Sequence, residues 1–310
     1  MRTAALALLS ALCLLGAHGA AAQTAQPSQW HLVFADEFDG TTLDATHWTP
    51  AQDCWGGGNQ ERQCYTRRPE NVAVHDGMLE LTARLEEVTG PALPADQRDP
   101  AKEIARATKP FSSGKIMTRG AFSFTYGRVD VRARLPQGQG MWPAIWMLPE
   151  TDTYGPWPKS GELDILEAVN LGAKCSSCVG PVENDLYGTL HYDQPWEQSQ
   201  AIARLPAAAL GDWHTYSVEW SADRITWLLD DKPYGSAKLA NWAHAKPSGP
   251  GLPPFDKPFY LILDLAVGGL WPESHDEGGV TLGGFPKSMQ VDWVHVYSCD
   301  GDATARACVK

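Results

Sequence analysis

The 310-residue chain lacks any excess of positive charge, with 25 Lys and Arg against 37 Asp and Glu and a formal net charge of −12. That balance excludes the basic face by which proteins grip nucleic acid, and it favours neutral glycans over sulfated or uronic ones. Beyond its N-terminus the chain has no apolar run near the roughly 20 residues that span a bilayer. It has no Ser- or Gly-rich linker and no internal repeat, so a single domain of ordinary size is expected. Helical windows are few, which excludes a bundle and an alternating α/β architecture. Cys175-Ser-Ser-Cys178 has no second Cys-x-x-Cys and no paired His beside it, so it reads as a disulfide rather than a zinc or redox half-site.

What is present begins with Met1-Arg2-Thr3, an apolar run from Ala4 to Ala17, and Ala20-Ala21-Ala22. Charged start, short apolar core and small-residue site predict a signal peptide over 1–22 and a mature domain over 23–310, secreted or periplasmic and free of the membrane after cleavage. Of seven Cys, six remain after Cys13 leaves. An even number in an oxidising compartment predicts three disulfides. Proximity suggests Cys54 with Cys64, Cys175 with Cys178, and Cys299 with Cys308 among the fifteen pairings that six cysteines allow. Thirteen Trp is a high count, and flat indole faces suit a sugar-binding cleft as well as a core.

Two-residue alternation recurs along the chain, in 78–84, 122–135, 187–192, 215–220 with 225–229, and 289–297. Turn signals separate these stretches, and the pattern is that of an all-β sandwich. Residues 86–105, with their prolines and mixed charges, read as a surface loop with a short helical turn. The chain is organised around Gly161-Glu162-Leu163-Asp164-Ile165-Leu166-Glu167. Glu162 and Asp164 share one face of a strand, whereas Glu167 is an odd step away and regains that face only if one extra residue bulges at Ile165-Leu166. Two glutamates on one face suit glycoside hydrolysis, in which one attacks the sugar carbon and the other protonates the leaving oxygen. The retaining form needs them roughly 5 to 5.5 Å apart. Asp164, between them, would share a proton with the nucleophile and help keep the two glutamates in different protonation states.

Glu162-x-Asp164-x-x-Glu167 resembles the signature of family 16 glycoside hydrolases, in the bulged form of bacterial laminarinases and related β-glucanases. Flanking blocks extend the resemblance from about Trp30 to Ser298. It implies a jelly roll of two curved antiparallel sheets with a substrate cleft along the concave face. It also implies Glu162 as nucleophile, Glu167 as general acid/base and Asp164 as assistant. Gly58-Asn59-Gln60-Glu61-Arg62-Gln63-Cys64-Tyr65-Thr66 is similar to the family loop that touches sugar on the nonreducing side of the cut, which implicates Asn59. Cys64 departs from the family's Tyr there and suggests a disulfide brace. Tyr126-Gly127-Arg128 matches a family block in which Arg128 braces the cleft or a carboxylate; on its own, Arg128 reads equally as a solvated side chain.

Trp142 and Trp146, four apart in Gly140-Met141-Trp142-Pro143-Ala144-Ile145-Trp146, share a face. By the resemblance this face is the concave one, where the two rings stack on sugars, and Pro143 implies an edge or a bulge. His191, in Gly188-Thr189-Leu190-His191-Tyr192, is assigned to substrate contact. Trp271, in Gly268-Gly269-Leu270-Trp271-Pro272, is assigned to the reducing side. The resemblance also implies a structural calcium held by Glu37, Asp292 and a carbonyl near Gly77, though in isolation these acids read as surface turns. Catalysis needs no cofactor, and a monomer is expected. The implied activity is endo-hydrolysis of β-1,3-glucan, with extension to mixed β-1,3/1,4-glucan left open. A galactan hydrolase, a transglycosylase and a non-catalytic β-glucan-binding protein of the same fold stay open, because fold alone does not fix activity.

Overall fold

Strand follows strand because β-branched and aromatic residues alternate with polar ones between Gly, Pro and Asp turns. The computed structural model describes residues 30–193, 196–242 and 251–309, so the expected signal peptide over 1–22 lies outside the described residues. In chain order the strands are β1 (Trp30–Asp36), β2 (Thr49–Pro50), β3 (Gln63–Tyr65), β4 (Val72–His75), β5 (Met78–Pro91) and β6 (Arg106–Ser113). Next come β7 (Lys115–Met117), β8 (Gly127–Arg134), β9 (Met141–Pro149), β10 (Glu162–Glu167), β11 (Asp185–Tyr192) and β12 (Glu197–Arg204). The series ends with β13 (His214–Trp220), β14 (Arg224–Leu229), β15 (Lys232–Lys238), β16 (Phe259–Val267) and β17 (Lys287–Cys299). Among the described residues no helix is long and apolar enough to cross a membrane.

Two sheets face each other. One runs β15-β14-β13-β8-β17-β5-β6-β3, with β1 on β17 and β4 on β5; the other runs β12-β11-β10-β9-β16-β7-β2. Pairing is antiparallel except for the short β3–β6 contact, which is parallel. Leu79, Leu81, Val129, Val131, Val291 and Val294 from the first sheet meet Ile145, Met147, Leu163, Leu261, Leu263 and Leu265 from the second in one buried cluster. The second sheet thus turns Leu163 of β10 and the odd-numbered positions 261–265 of β16 inward, and Glu162, Asp164 and the even-numbered β16 positions outward. That outward face carries the functional residues.

Two sequence expectations change here. The loop expected from Glu86 is strand as far as Pro91, because β6 lies beside it with Val88 opposite Lys109 and Thr89 opposite Thr108; proline at the strand's end breaks no ladder within it. Pro143 lies in an inner strand, flanked by β10 and β16. Its carbonyl accepts from Ala168 N–H, so its missing donor faces the side on which the β10 ladder has already ended at Glu167.

All three proposed disulfides form: Cys54–Cys64, Cys175–Cys178 and Cys299–Cys308. The first closes the loop that carries Asn59. Constraint of the unfolded chain by a loop of that length contributes on the order of 2–3 kcal/mol.

Candidate active site

β10 is bulged where the sequence requires it. Asp164 lies opposite Trp146 and Leu166 opposite Ile145, so β10 advances two residues while β9 advances one. On the other side β10 takes three steps, from Asp164 to Glu167, while β11 takes two, from Thr189 to Tyr187. Ile165 and Leu166 both reach the core, 1% and 0% exposed, and Glu167 returns to the face of Glu162 and Asp164. The neighbours on that face follow from register: His191, Thr189 and Tyr187 on β11, Trp146, Ala144 and Trp142 on β9, and Ile262, Asp264 and Ala266 on β16.

Each glutamate is held by an indole N–H. Trp157, in the loop before β10, donates to Glu162, and Trp142 donates to Glu167 Oε1 at 3.1 Å. Around Glu162, Trp157 lies 6.2 Å from Trp196, and Trp196 stacks on His191 at 5.6 Å. Around Glu167, Trp271 meets Trp142 edge-on at 5.4 Å and Tyr187 at 5.0 Å. His191 bridges the halves: its Nδ1 accepts from Trp196 Nε1 at 3.0 Å, and its Nε2 lies 3.0 Å from Asp164 Oδ2. One ligand atom each from Glu162, Asp164 and His191 falls within 4.8 Å of the others.

Electrostatics keep protons in this row. Burial, and then the charge of Asp164, push Glu162 up to about 8, against the pull of His191 and the Trp157 N–H. Burial followed by the Asp164 charge also holds Glu167 well above the ordinary carboxyl range. Asp164 is raised as well, chiefly by burial, and is hydrogen-bonded to Glu162. Three carboxylates this close cannot all ionise; the hydrogen bond between Glu162 and Asp164 requires a shared proton on one of them, and burial favours the protonated form of Glu167. When the shared proton sits on Asp164, Glu162 is a carboxylate beside a protonated Glu167, which is the pairing that acid-assisted nucleophilic attack requires.

This has a consequence for stability. A carboxyl whose folded value lies above its ordinary 4.5 binds more protons in the native state, so its contribution is fully present below 4.5 and is lost as pH rises toward about 8. The melting temperature of the wild type should therefore fall across that window, and Glu162→Gln should flatten the fall. Differential scanning calorimetry as a function of pH checks this; equal slopes for the two proteins would contradict it.

The other predicted residues divide. Asn59 sits on the exposed turn between Cys54 and Cys64, its amide 3.5 Å from Glu61 Oε1. Leu270 N–H donates to the Asn59 carbonyl at 2.8 Å, Arg62 N–H donates to the Val267 carbonyl, and Arg62 pairs with Glu273. Asn59 and Trp271, expected on opposite sides of the cut, thus belong to turns joined through backbone into one rim. Trp142 is only 8% exposed; it offers its N–H to Glu167 rather than an open face to a sugar. Trp146 is half-buried, donates to Asp264 Oδ1 at 2.6 Å and carries the Lys115 ammonium over its ring at 4.6 Å.

Arg128 braces carboxylates, as one reading of its block had it, but it neither touches the cleft nor lies in solvent. It is buried in β8 of the other sheet, bonded to Asp130 at 2.7 Å, Glu219 at 3.1 Å and Asp231, and braces that sheet instead of the cleft. Glu37 and Asp292 bond to different side chains, His295 and Arg132.

Sequence reasoning missed Trp157, Trp196 and Asp264. Asp264 is 5% exposed and accepts from both Trp146 and Tyr65 OH; its signal was a lone carboxylate in the apolar run 259–267. The Trp157-Pro158 pair five residues before Glu162 was the available hint for the second indole donor.

Asp164 is buried between the half-buried Glu162 and Glu167, with aromatic rings at either end; carboxyl pairs so placed cleave glycosidic bonds, which puts the chain among the glycoside hydrolases. The sequence profile of Glycosyl hydrolases family 16 matches residues 59–295, and the chain belongs to that family. It is 39% identical over 285 residues to a glucan endo-1,3-beta-glucosidase A1 of Niallia circulans, covering 86% of this chain and 38% of that protein. With a beta-glucanase of Rhodothermus marinus it shares 38% identity, covering 86% of this chain and 85% of the relative. The X-ray structure of the laminarinase from Rhodothermus marinus superposes with a TM-score of 0.69 at 37% identity, covering 87% of this chain and 98% of that one. The sandwich, the cleft and the family expected from sequence are thereby borne out.

Proposed function

We propose that the chain is an exported, monomeric endo-β-1,3-glucanase acting with retention, with mixed β-1,3/1,4-glucan as a second substrate. The observation that carries this is the placement of Glu162 and Glu167 on one face of β10, each under an indole N–H, with Asp164 between them. The names of the similar proteins support the glucan assignment. In the first step a Glu162 oxygen attacks the anomeric carbon as the glycosidic C–O bond breaks, and the Glu167 proton passes to the leaving oxygen. In the second, Glu167 takes a proton from water, whose oxygen attacks the same carbon and frees Glu162. Two inversions leave the configuration unchanged. Both steps use only side chains of this chain and water. Three formed disulfides favour an oxidising destination.

The test is product analysis on laminarin, barley mixed-linkage glucan and agarose, with the anomer followed by proton NMR. Oligosaccharides from laminarin, first appearing as the β-anomer, are expected. Activity on agarose alone would overturn the substrate, α-anomer first would overturn retention, and no product from any of the three would favour the glucan-binding alternative.

A structural calcium at Glu37 and Asp292 is part of the same proposal. Asp36 pairs with Val294, so Glu37 and Asp292 both belong to the β1–β17 seam, and their present partners, His295 and Arg132, form partly exposed pairs. A divalent cation bound there would take one carboxylate oxygen each from Glu37 and Asp292, with a carbonyl near Gly77 and water completing the six or more oxygens that calcium needs. Adding calcium to chelator-treated protein should raise the melting temperature, and Asp292→Ala should abolish that rise; no rise in the wild type would dismiss the site.

A further inference from the structure

We propose that Trp227 is a positioning residue for Glu167, acting across the sandwich through the backbone of the catalytic strand. The inference rests on the acid/base role of Glu167 given above. Trp227 lies on β14, in the opposite sheet, and is 1% exposed. Its indole Nε1–H donates to the carbonyl oxygen of Asp164 at 2.8 Å. Asp164 is the last residue before the bulge, where ladder pairing to both neighbouring strands slips. A carbonyl at such a break needs a partner from outside the ladder when it is buried, and Trp227 supplies one.

The surroundings are shaped for this reach. Gly188 faces the ring from β11, and a Cβ there would lie 2.3 Å from Trp227 Cδ1. Gly235 lies beside Trp227 in register on β15, at another slip in pairing. The missing side chain at Gly188 therefore gives the indole room to cross the core, while that at Gly235 makes room for Ala201 on β12. The bond fixes the peptide from which the chain turns through Ile165 and Leu166 to Glu167, so it sets the direction in which Glu167 leaves the strand. Glu162 lies before the break, in regular pairing with His191, and is not governed by it.

This separation gives the test. Proton delivery by Glu167 matters for a poor leaving group, such as a sugar hydroxyl, and little for a good one, such as 2,4-dinitrophenolate; attack by Glu162 matters for both. Trp227→Phe, together with replacement of Trp227 by 3-benzothienylalanine, which keeps the ring shape and loses only the N–H, should lower kcat on laminarin by about 10- to 100-fold. KM on laminarin should stay near the wild-type value, and kcat/KM on a dinitrophenyl β-glucoside oligomer, which reports formation of the glycosyl-enzyme alone, should change by less than about threefold. Equal losses on both substrates would mean a purely structural role, and unchanged kcat on laminarin for the benzothienyl protein would mean the bond is not used; either result overturns the proposal. Glu167→Ala run alongside separates the two readings: if it shows no leaving-group dependence, the acid/base assignment has failed rather than the role of Trp227.

Discussion

Glu162→Gln should reduce turnover of β-1,3-glucan by at least about 10⁴-fold, leaving the fold and the affinity for glucan in place. The amide is isosteric with the carboxyl, and its NH2 and oxygen still fit beside Trp157 and Asp164. It cannot form the covalent bond to the anomeric carbon. Covalent catalysis splits one difficult displacement into two easier ones, so removal of the nucleophile removes the pathway rather than slowing a step. The measurements are kcat on laminarin and the dissociation constant of a laminari-oligosaccharide by calorimetry. A variant that keeps a substantial rate would show that the nucleophile lies elsewhere; one that loses binding and rate together would show that the substitution had disturbed the cleft.

Glu167→Ala should fail differently. Loss of general acid catalysis costs about 10²- to 10⁴-fold, and the loss in kcat/KM should depend on the leaving group, large for glucan and small for an activated aryl glycoside. The first step then still proceeds on the activated substrate, and the glycosyl-enzyme accumulates because no base activates water. Azide, which needs no such base, should restore turnover and yield a β-glycosyl azide. Absence of rescue, or an α-azide product, would contradict the double displacement. The removed side chain also leaves the Trp142 indole N–H without its acceptor, so a modest fall in melting temperature accompanies the kinetic change.

Much of this was legible in sequence. The Glu162, Asp164 and Glu167 face, with its bulge, follows from a period of two interrupted once, because a strand has only two faces and a buried row of Ile165 and Leu166 reveals where it slips. The disulfides followed from spacing. Arg128 was not legible, because its partners Glu219 and Asp231 lie about a hundred residues away and only the pairing of β8 with β13 brings Glu219 opposite it. Trp142 carried the right face and the wrong use: alternation gives direction, not exposure, and Trp271 closes over it from a turn far along the chain. The joining of Asn59 to Leu270 was likewise invisible, since backbone hydrogen bonds between turns leave no trace in residue type.

The bulge in β10 also bears on how the site could change over generations. A single-residue deletion usually ruins a strand, because it sends every later side chain to the wrong face. Here the loss of Ile165 would straighten β10 and leave three carboxyls at an even spacing on their original side. Its cost would fall on the interior, where Ile165 and Leu166 are both packed, and on the Asp164 carbonyl, whose bond to Trp227 belongs to the bulged form. Bulged and straight versions of the catalytic strand are therefore one deletion apart in chemistry, while the difference between them in packing falls on the interior around Ile165 and Leu166.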